Sequence, residues 1–357
     1  MTRLEVIDAG LLDPDDERAL LGSLLAGMGR DVNPVLCACV FSGNGVSLGR
    51  YQEASRALDI PACRREGFAV HRRLTGGAAV VVGDGILSLA LILPDASAFS
   101  DRIFPEKVIN RYVRGILSGI QLLGADAAYT GSDFISINRR RGAYCAMDVD
   151  ARGAVLFQTF LAVDRSYILP DGLNAYPRRR ETRITQPIVL REACRKAATR
   201  EEILSAVAGG YRKRFGIESA VRPLKQADFQ WKPAIDNVEE YDLKTGGLDD
   251  WKASSLREFP LGFFGARVRM HSEGSIAVAR FHGDFIANHP AIERLEKELS
   301  GKPPRGKDLE EALGPVFSDR NNFFLGLRSP STLIDAVLDA SGSSERPKPV
   351  RVVHDDV

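Results

Sequence analysis

Two stretches of this sequence carry side chains suited to holding an anionic ligand. The first is His71-Arg72-Arg73-Leu74-Thr75-Gly76-Gly77-Ala78-Ala79-Val80. Two glycines after an apolar stretch let the backbone approach a ligand with no Cβ in the way. N–H groups in such a turn can hold an anion, and the arginines add positive charge. The same residues would equally make an ordinary hairpin turn. The second stretch is Arg139-Arg140-Arg141, with Cys145 close behind. Guanidinium groups neutralise phosphates, although a basic run is also what a solvated turn looks like. Nearby cations lower a thiol pKa, which makes Cys145 a candidate nucleophile. A lone Cys beside an aromatic residue is otherwise packing. His71 is either a site residue or a structural histidine.

Periodicity indicates what positions these residues. Leu20, Leu21, Leu24 and Leu25 recur at helical spacing behind Pro14-Asp15-Asp16-Glu17, whose acids suit a helix N-terminus. Residues 108–123 and 199–216 also read as helices, the latter opened by a Thr199 N-cap with acids in its first turn. Strands are expected at 35–41, 46–50, 68–70, 78–82, 86–93, 133–138 and 154–163. Gly83-Asp84-Gly85 reads as the turn of a hairpin joining 78–82 to 86–93. Residues 176–185 read as an exposed basic loop. The expected units are 1–220, a linker over 221–262, a small unit over 263–340 and a polar, disordered tail over 341–357. In the small unit, strands at 263–270 and 276–281 precede a helix at 290–299.

Composition narrows the function classes. With 48 basic and 47 acidic residues the net charge is +1, so no global field draws the chain to nucleic acid or an anionic membrane. The longest apolar run, 86–93, is too short to span a bilayer, and no apolar signal core follows Met1. The 5 cysteines are odd in number and widely spaced, which fits reduced thiols and a cytoplasmic protein.

The Arg72–Ala79 stretch is similar to the Arg-Arg-x-x-Gly-Gly loop of lipoate–protein ligases and octanoyltransferases. Val46-Ser47-Leu48-Gly49-Arg50-Tyr51-Gln52 resembles that family's strand ending in Gly-Arg-x-Gln. Gly131-Ser132-Asp133-Phe134-Ile135 resembles its Gly-Arg-Asn-Asp strand, and Arg152 to Thr159 the strand beside it. Further on, Val268 to His271, Ala277 to Phe285 and Pro290 to Leu299 look like the small accessory domain of the ligases. The resemblance implies an α+β (mixed α/β) biotin/lipoate ligase-like domain followed by a smaller α+β domain. It implies activation of lipoate or octanoate by ATP and Mg²⁺ to an acyl-adenylate, then transfer to a lysine of an apo lipoyl-domain or glycine-cleavage-H-type carrier protein. Arg72, Arg73, Thr75, Gly76, Gly77, Ala78 and Ala79 would line the acyl and phosphate site. Asp133 would stand near the adenylate or its Mg²⁺, a hard cation that prefers oxygen.

The sequence departs from the family where a lysine is expected after the Asp133 strand. There is no lysine between Lys107 and Lys196, and Arg139 or Arg140 takes the matching position. Arginine can neutralise a phosphate but does not give up a proton. Two alternatives therefore stand beside the ligase: an acyl or acyl-adenylate binder without efficient transfer, and an octanoyl or lipoyl transferase working through Cys145.

Overall fold

The computed structural model describes residues 3–99, 107–175, 186–229, 251–259, 261–327 and 329–343. The chain opens with β1 (Arg3–Leu12), α1 (Pro14–Ala26), β2 (Val35–Phe41) and β3 (Gly45–Leu48). Two short helices follow, α2 (Ala54–Ala57) and α3 (Ile60–Arg65), then β4 (Ala69–Arg72), β5 (Val80–Val82) and β6 (Ile86–Leu93). Next come α4 (Val108–Leu122), β7 (Ala127–Tyr129), β8 (Phe134–Ile137), β9 (Arg140–Val149) and β10 (Val155–Ala162). This part closes with α5 (Leu190–Ala193), α6 (Arg200–Phe215) and β11 (Glu218–Val221).

Eight strands form the main sheet in the order β11-β1-β2-β6-β10-β9-β8-β7. β1 is parallel to both β2 and β11, and the remaining pairs are antiparallel. Every residue of β6 and of β10 is buried, because both faces of the sheet are covered; this explains their unbroken apolar runs. One face packs on α4 and α6, where the Tyr211 hydroxyl donates to the Tyr112 carbonyl at 2.7 Å. The other face packs on α1 through Leu20, Leu21 and Leu24. α1 starts as its sequence suggests, with Asp13 accepting from the Asp16 N–H. The Thr199 capping box closes reciprocally with Glu202.

A small sheet of β4, β3 and β5 lies apart from the main one. Here the expected hairpin at Gly83-Asp84-Gly85 is corrected. β5 pairs with β3, whereas β6 pairs with β2 and β10. The turn carries the chain from one sheet to the other, and the Gly85 carbonyl receives the N–H groups of Val163, Asp164 and Arg165. β9 continues directly from the arginine run, so that run is the edge of a strand and not only a turn.

Beyond residue 250 the chain forms β12 (Lys252–Ala253), β13 (Arg257–Phe259), β14 (Gly262–Met270), β15 (Ile276–Gly283) and β16 (Ile286–Ala287). It continues through α7 (His289–Glu298), α8 (Gly306–Ser318), β17 (Phe324–Leu325) and α9 (Pro330–Ser341). β14 pairs with β12, β13 and β15 over a separate core of Phe264, Phe285, Leu295, Leu313 and Leu333. Part of the expected linker therefore belongs to this sheet: β12 and β13 supply strands that the sequence pattern did not suggest. At the linker's other end, Arg222 pairs with Glu5 and Asp228 and stays with the large unit. The expected loop over 176–185 lies outside the described residues, as does the tail from 344 onward. Among the described residues no helix is long and apolar enough to cross a membrane.

Candidate active site

The Gly-rich loop joins β4 to β5, and its two arginines turn inward to hold its shape. Arg73 is 4% exposed. Its guanidinium donates to the carbonyls of Ser47 (2.7 Å), Gly76 (2.8 Å) and Ala78 (2.8 Å) and, through Nε, to Thr75 Oγ1 (3.2 Å). Burial lowers its pKa from the ordinary arginine value. Arg72 Nη1 donates to the carbonyls of Gly49, Arg50 and Gln52. The Arg73 guanidinium is thus engaged by the loop's own groups, and Arg72 Nη1 by backbone carbonyls. Five donors in a rigid fork suit arginine to tying a loop together.

The loop's N–H groups are also occupied. Gly76 N–H donates to the Met147 carbonyl (3.3 Å) and Gly77 N–H to the Phe285 carbonyl (2.7 Å). Ala78 N–H donates to the Tyr144 hydroxyl at 2.6 Å. Gly77 has φ +94°, and a Cβ there would lie 2.1 Å from the Tyr144 oxygen. A Cβ on Gly76 would lie 2.7 Å from the Phe285 carbonyl. Both glycines are required, but by this protein's own Tyr144 and Phe285, which hold the space the sequence reading gave to a ligand. Ala78 is buried, whereas Ala79 borders the cleft toward the C-terminal unit.

Beneath the loop runs a buried polar chain. Thr75 Oγ1 donates to Gln158 Oε1 (3.0 Å), and Gln158 Nε2 donates to Glu17 Oε1 (2.6 Å), which also accepts from Ser88 Oγ (2.8 Å). Glu17 is 4% exposed. Burial raises its pKa to about 7, against the lowering effect of these hydrogen bonds and of Arg73.

The arginine run divides three ways. Asn138 and Arg139 have φ 47° and 64°, the left-handed pair of a two-residue hairpin turn. Arg139 is exposed at its tip. Arg140 donates to the Pro187 carbonyl and pairs with Glu192 of α5 at 3.7 Å. Neither of the two residues proposed from sequence as catalytic contacts the loop. Arg141 lies over the Phe134 ring at 4.5 Å, with its Nε buried and without a hydrogen-bond partner. The Tyr167 hydroxyl is likewise buried without a partner. Burial and the Asp133 charge raise the Tyr167 pKa, and the Arg141 charge opposes this. The Tyr167 ring neighbours Tyr144 at 6.0 Å, and its carbonyl accepts from Val81 N–H.

Asp133 is half-buried and accepts from Ser132 Oγ at 2.9 Å, while its carbonyl accepts from Cys145 N–H. Its charge raises the pKa of Tyr144, Tyr167 and Cys145. Among the described residues no cluster of three or more His, Cys, Asp or Glu is placed to hold a metal. Asp133 would be a single carboxylate ligand. Cys145 is fully buried on the opposite face of the sheet, 4.0 Å from Thr159 Oγ1, and burial raises its thiol pKa. That environment disfavours the thiolate a nucleophile needs. His71 sits 3.8 Å from Asp15, and burial lowers its pKa.

The family model for the lipoyl protein ligase A/B catalytic domain matches residues 13–192, half of the chain. The chain belongs to this family. A relative named probable lipoate-protein ligase A, from Mycoplasma pneumoniae, is 19% identical over 311 residues, covering 84% of this chain and 87% of that protein. The octanoyltransferase LipM of an Exiguobacterium species is 30% identical over 122 residues, covering 32% of this chain and 42% of its own. In structure, P. falciparum LipL1, solved in complex with lipoate, overlays with TM-score 0.65 at 15% identity, covering 87% of this chain and 93% of that one. A bipartite lipoate protein ligase from Thermoplasma acidophilum gives TM-score 0.53 at 18% identity over 64% of this chain and 88% of its own. The fold is therefore the mixed α/β lipoate ligase fold with a smaller C-terminal domain.

In this lipoate ligase family member the accessory domain is seated on the Gly49–Arg56 segment. Tyr51 stacks on Phe285 at 4.7 Å and Gln52 Nε2 donates to Asp284 at 2.6 Å. Glu53 pairs with Arg267, and Arg56 contacts His282 and the Ser254 carbonyl. Asp148 of β9 accepts from the His289 N–H at the start of α7 and pairs with Arg50 at 3.2 Å. A cavity of about 30 Å³ remains between Gln52, Arg56, Ala79, His282 and Asp284. Sequence reasoning missed Tyr144, Tyr167, Phe285 and Glu17. The first three lie far along the chain from the loop; a Glu in an acidic first helical turn looks solvated until Ser88 and Gln158 are found beside it.

Proposed function

We propose that the chain is an ATP-dependent acyl ligase of the lipoate and octanoate type, acting on a lysine of an apo lipoyl-domain or glycine-cleavage-H-type carrier protein. A carboxylate oxygen of the acid attacks the α-phosphorus of ATP and pyrophosphate leaves. The carrier lysine then attacks the acyl carbon, losing a proton as AMP departs. The observation that carries this reading is Arg141. It is a cation stacked on Phe134 with a buried, unpartnered Nε, and its charge acts on a second buried donor without a partner, the Tyr167 hydroxyl. Two such donors cost free energy unless an acceptor meets them, and an anionic carboxylate or phosphate is the acceptor they suit. Asp133 is the carboxylate available to Mg²⁺, with phosphate oxygens and water completing its octahedron.

The C-terminal unit supports a ligase over a transferase, because the relative named as a ligase extends over it and the octanoyltransferases match only a third of the chain. Residues 1–220 would bind and activate the acid, and 263–340 would close over it. Five free, buried cysteines suit the reducing cytoplasm. A second reading, acyl-adenylate binding without efficient transfer, is favoured by one observation: Arg141, unlike lysine, cannot take the lysine's proton. The test is purified protein with ATP, Mg²⁺, lipoate or octanoate and an apo carrier domain, read by intact mass. A mass gain on the carrier supports the ligase, AMP-acid bound without a gain supports the binder, and neither product removes both.

A further inference from the structure

We infer that the seam between the two units is a proton-linked latch centred on Asp148, which holds the C-terminal unit more tightly at pH 6 than at pH 8. This goes beyond the ligase reading and does not depend on it. Asp148 lies near the end of β9, buried where three parts of the molecule meet. Its Oδ1 accepts from the N–H of His289, the first residue of α7, at 2.8 Å. That helix has no side-chain cap of its own. Its N-cap residue, Asn288, is turned to Asn322 and to the Phe323 N–H. A carboxylate of the large unit therefore caps a helix of the small one, at the end where the helix dipole favours it. Asp148 Oδ2 pairs with Arg50 at 3.2 Å, and Arg50 Nη1 also reaches the Leu74 carbonyl of the Gly-rich loop at 3.4 Å. Two backbone bonds cross the same seam: Gly77 N–H to the Phe285 carbonyl (2.7 Å) and Gly283 N–H to the Tyr51 carbonyl (3.0 Å).

Separating the units would return the Asp148 carboxyl to water and to its ordinary pKa. In the closed seam, burial raises that pKa from 3.8 to about 7, against the lowering effect of Arg50 and of the Val149 and His289 N–H groups. The joined form therefore holds the proton more tightly than the separated form. Its contribution to joining is full at low pH and is lost as pH rises to about 7. The other charged groups facing Asp148 are Arg50, which keeps its charge throughout, Asp150 on its own side of the seam, and His289 with Glu293 on α7, 2.9 Å apart. Burial and Arg50 hold His289 below its ordinary value, so its titration lies on the acid side and acts in the opposite direction.

The experiment is amide hydrogen exchange on the full chain at pH 6 and pH 8, corrected for the intrinsic pH dependence of exchange. In wild type the Gly77, Gly283 and His289 amides should lose about tenfold in protection between the two. Asp148→Asn keeps an acceptor oxygen and loses the titration, so its seam amides should be equally protected at both. His289 is present in both proteins, and their difference reports Asp148 alone. Asp148→Ala, without the cap, should leave the seam amides less protected than wild type at pH 6. Wild-type seam amides that do not change with pH overturn the inference, as does an Asp148→Asn that follows wild type. A folded Asp148→Ala as well protected as wild type at pH 6 also overturns it; if that variant does not fold, the comparison with Asp148→Asn decides. No acid or nucleotide is added, so each result stands apart from the ligase reading, which the carrier assay tests.

Discussion

Arg72 and Arg73 stand before one turn, and Arg139, Arg140 and Arg141 straddle another. By composition the two clusters are alike. In the first, β3, the turn after it and the Gly-rich loop present backbone carbonyls to the interior, and Arg72 Nη1 and the Arg73 guanidinium serve as internal ties. In the second, the tip of a two-residue turn leaves Arg139 in water, Arg140 meets α5, and only Arg141 keeps an inward donor unmet. The difference teaches that carbonyls around a basic run decide how much of each arginine is taken up inside the protein. Basic runs in sequence do not reveal this.

Breaking the first cluster should have the largest effect. Arg73→Ala leaves the Ser47, Gly76 and Ala78 carbonyls without their charged donor. At about 1.5–3 kcal/mol for each such bond, the loss of folding stability should exceed roughly 3 kcal/mol by urea unfolding. A loss under about 1 kcal/mol would mean that Arg73 is not the loop's tie.

The next effect lies under the same loop and depends on pH. The Glu17 pKa is raised from 4.5 to about 7 in the folded state. The folded state therefore holds the proton more tightly than the unfolded one. The stability this contributes is full below about 4.5 and is lost as pH rises to about 7, on the order of 3 kcal/mol at most. Glu17→Gln should flatten stability between pH 5 and 7 relative to wild type. Parallel stability–pH curves for the two proteins would sink the assignment.

The second cluster should respond in binding and not in folding. Arg141→Ala should weaken binding of an acyl-adenylate analogue by about 1.5–3 kcal/mol, one charged hydrogen bond's worth. Folding should change by no more than the cation–π contact, about 0.5–1 kcal/mol. Calorimetric titration beside urea unfolding separates the two, and equal losses in both would make Arg141 another internal tie. The smallest effect is expected from Arg139→Ala, within about 0.5 kcal/mol in either measurement. A larger binding loss there would return the site to the turn tip.

Much of the scaffold was legible because periodicity survives burial. β6, β10, α4 and α6 stand where their apolar patterns put them. β9 was hidden by its own composition, since Arg140-Arg141-Gly142 looks like a turn and Gly142 sits at an irregularity in the β8–β9 register. The false hairpin came from glycines that do mark a turn, but one between two sheets. At the candidate site, the Gly-rich turn after β4 was legible from local pattern. Tyr144, Tyr167 and Phe285 were not, because nothing in a window of sequence says which distant side chain will close over a glycine.

The place of β1 in the sheet has a consequence for the order of events during synthesis. β1 ends at Leu12, yet one of its two neighbours, β11, begins at Glu218. At ~5–20 residues per second the first strand waits roughly 10–40 s for that partner to leave the ribosome. Throughout that interval the β1 edge is open, with its parallel ladder unmade and its backbone groups available to other chains. A released chain truncated before residue 218 would then be a better target for chaperones than one that includes β11.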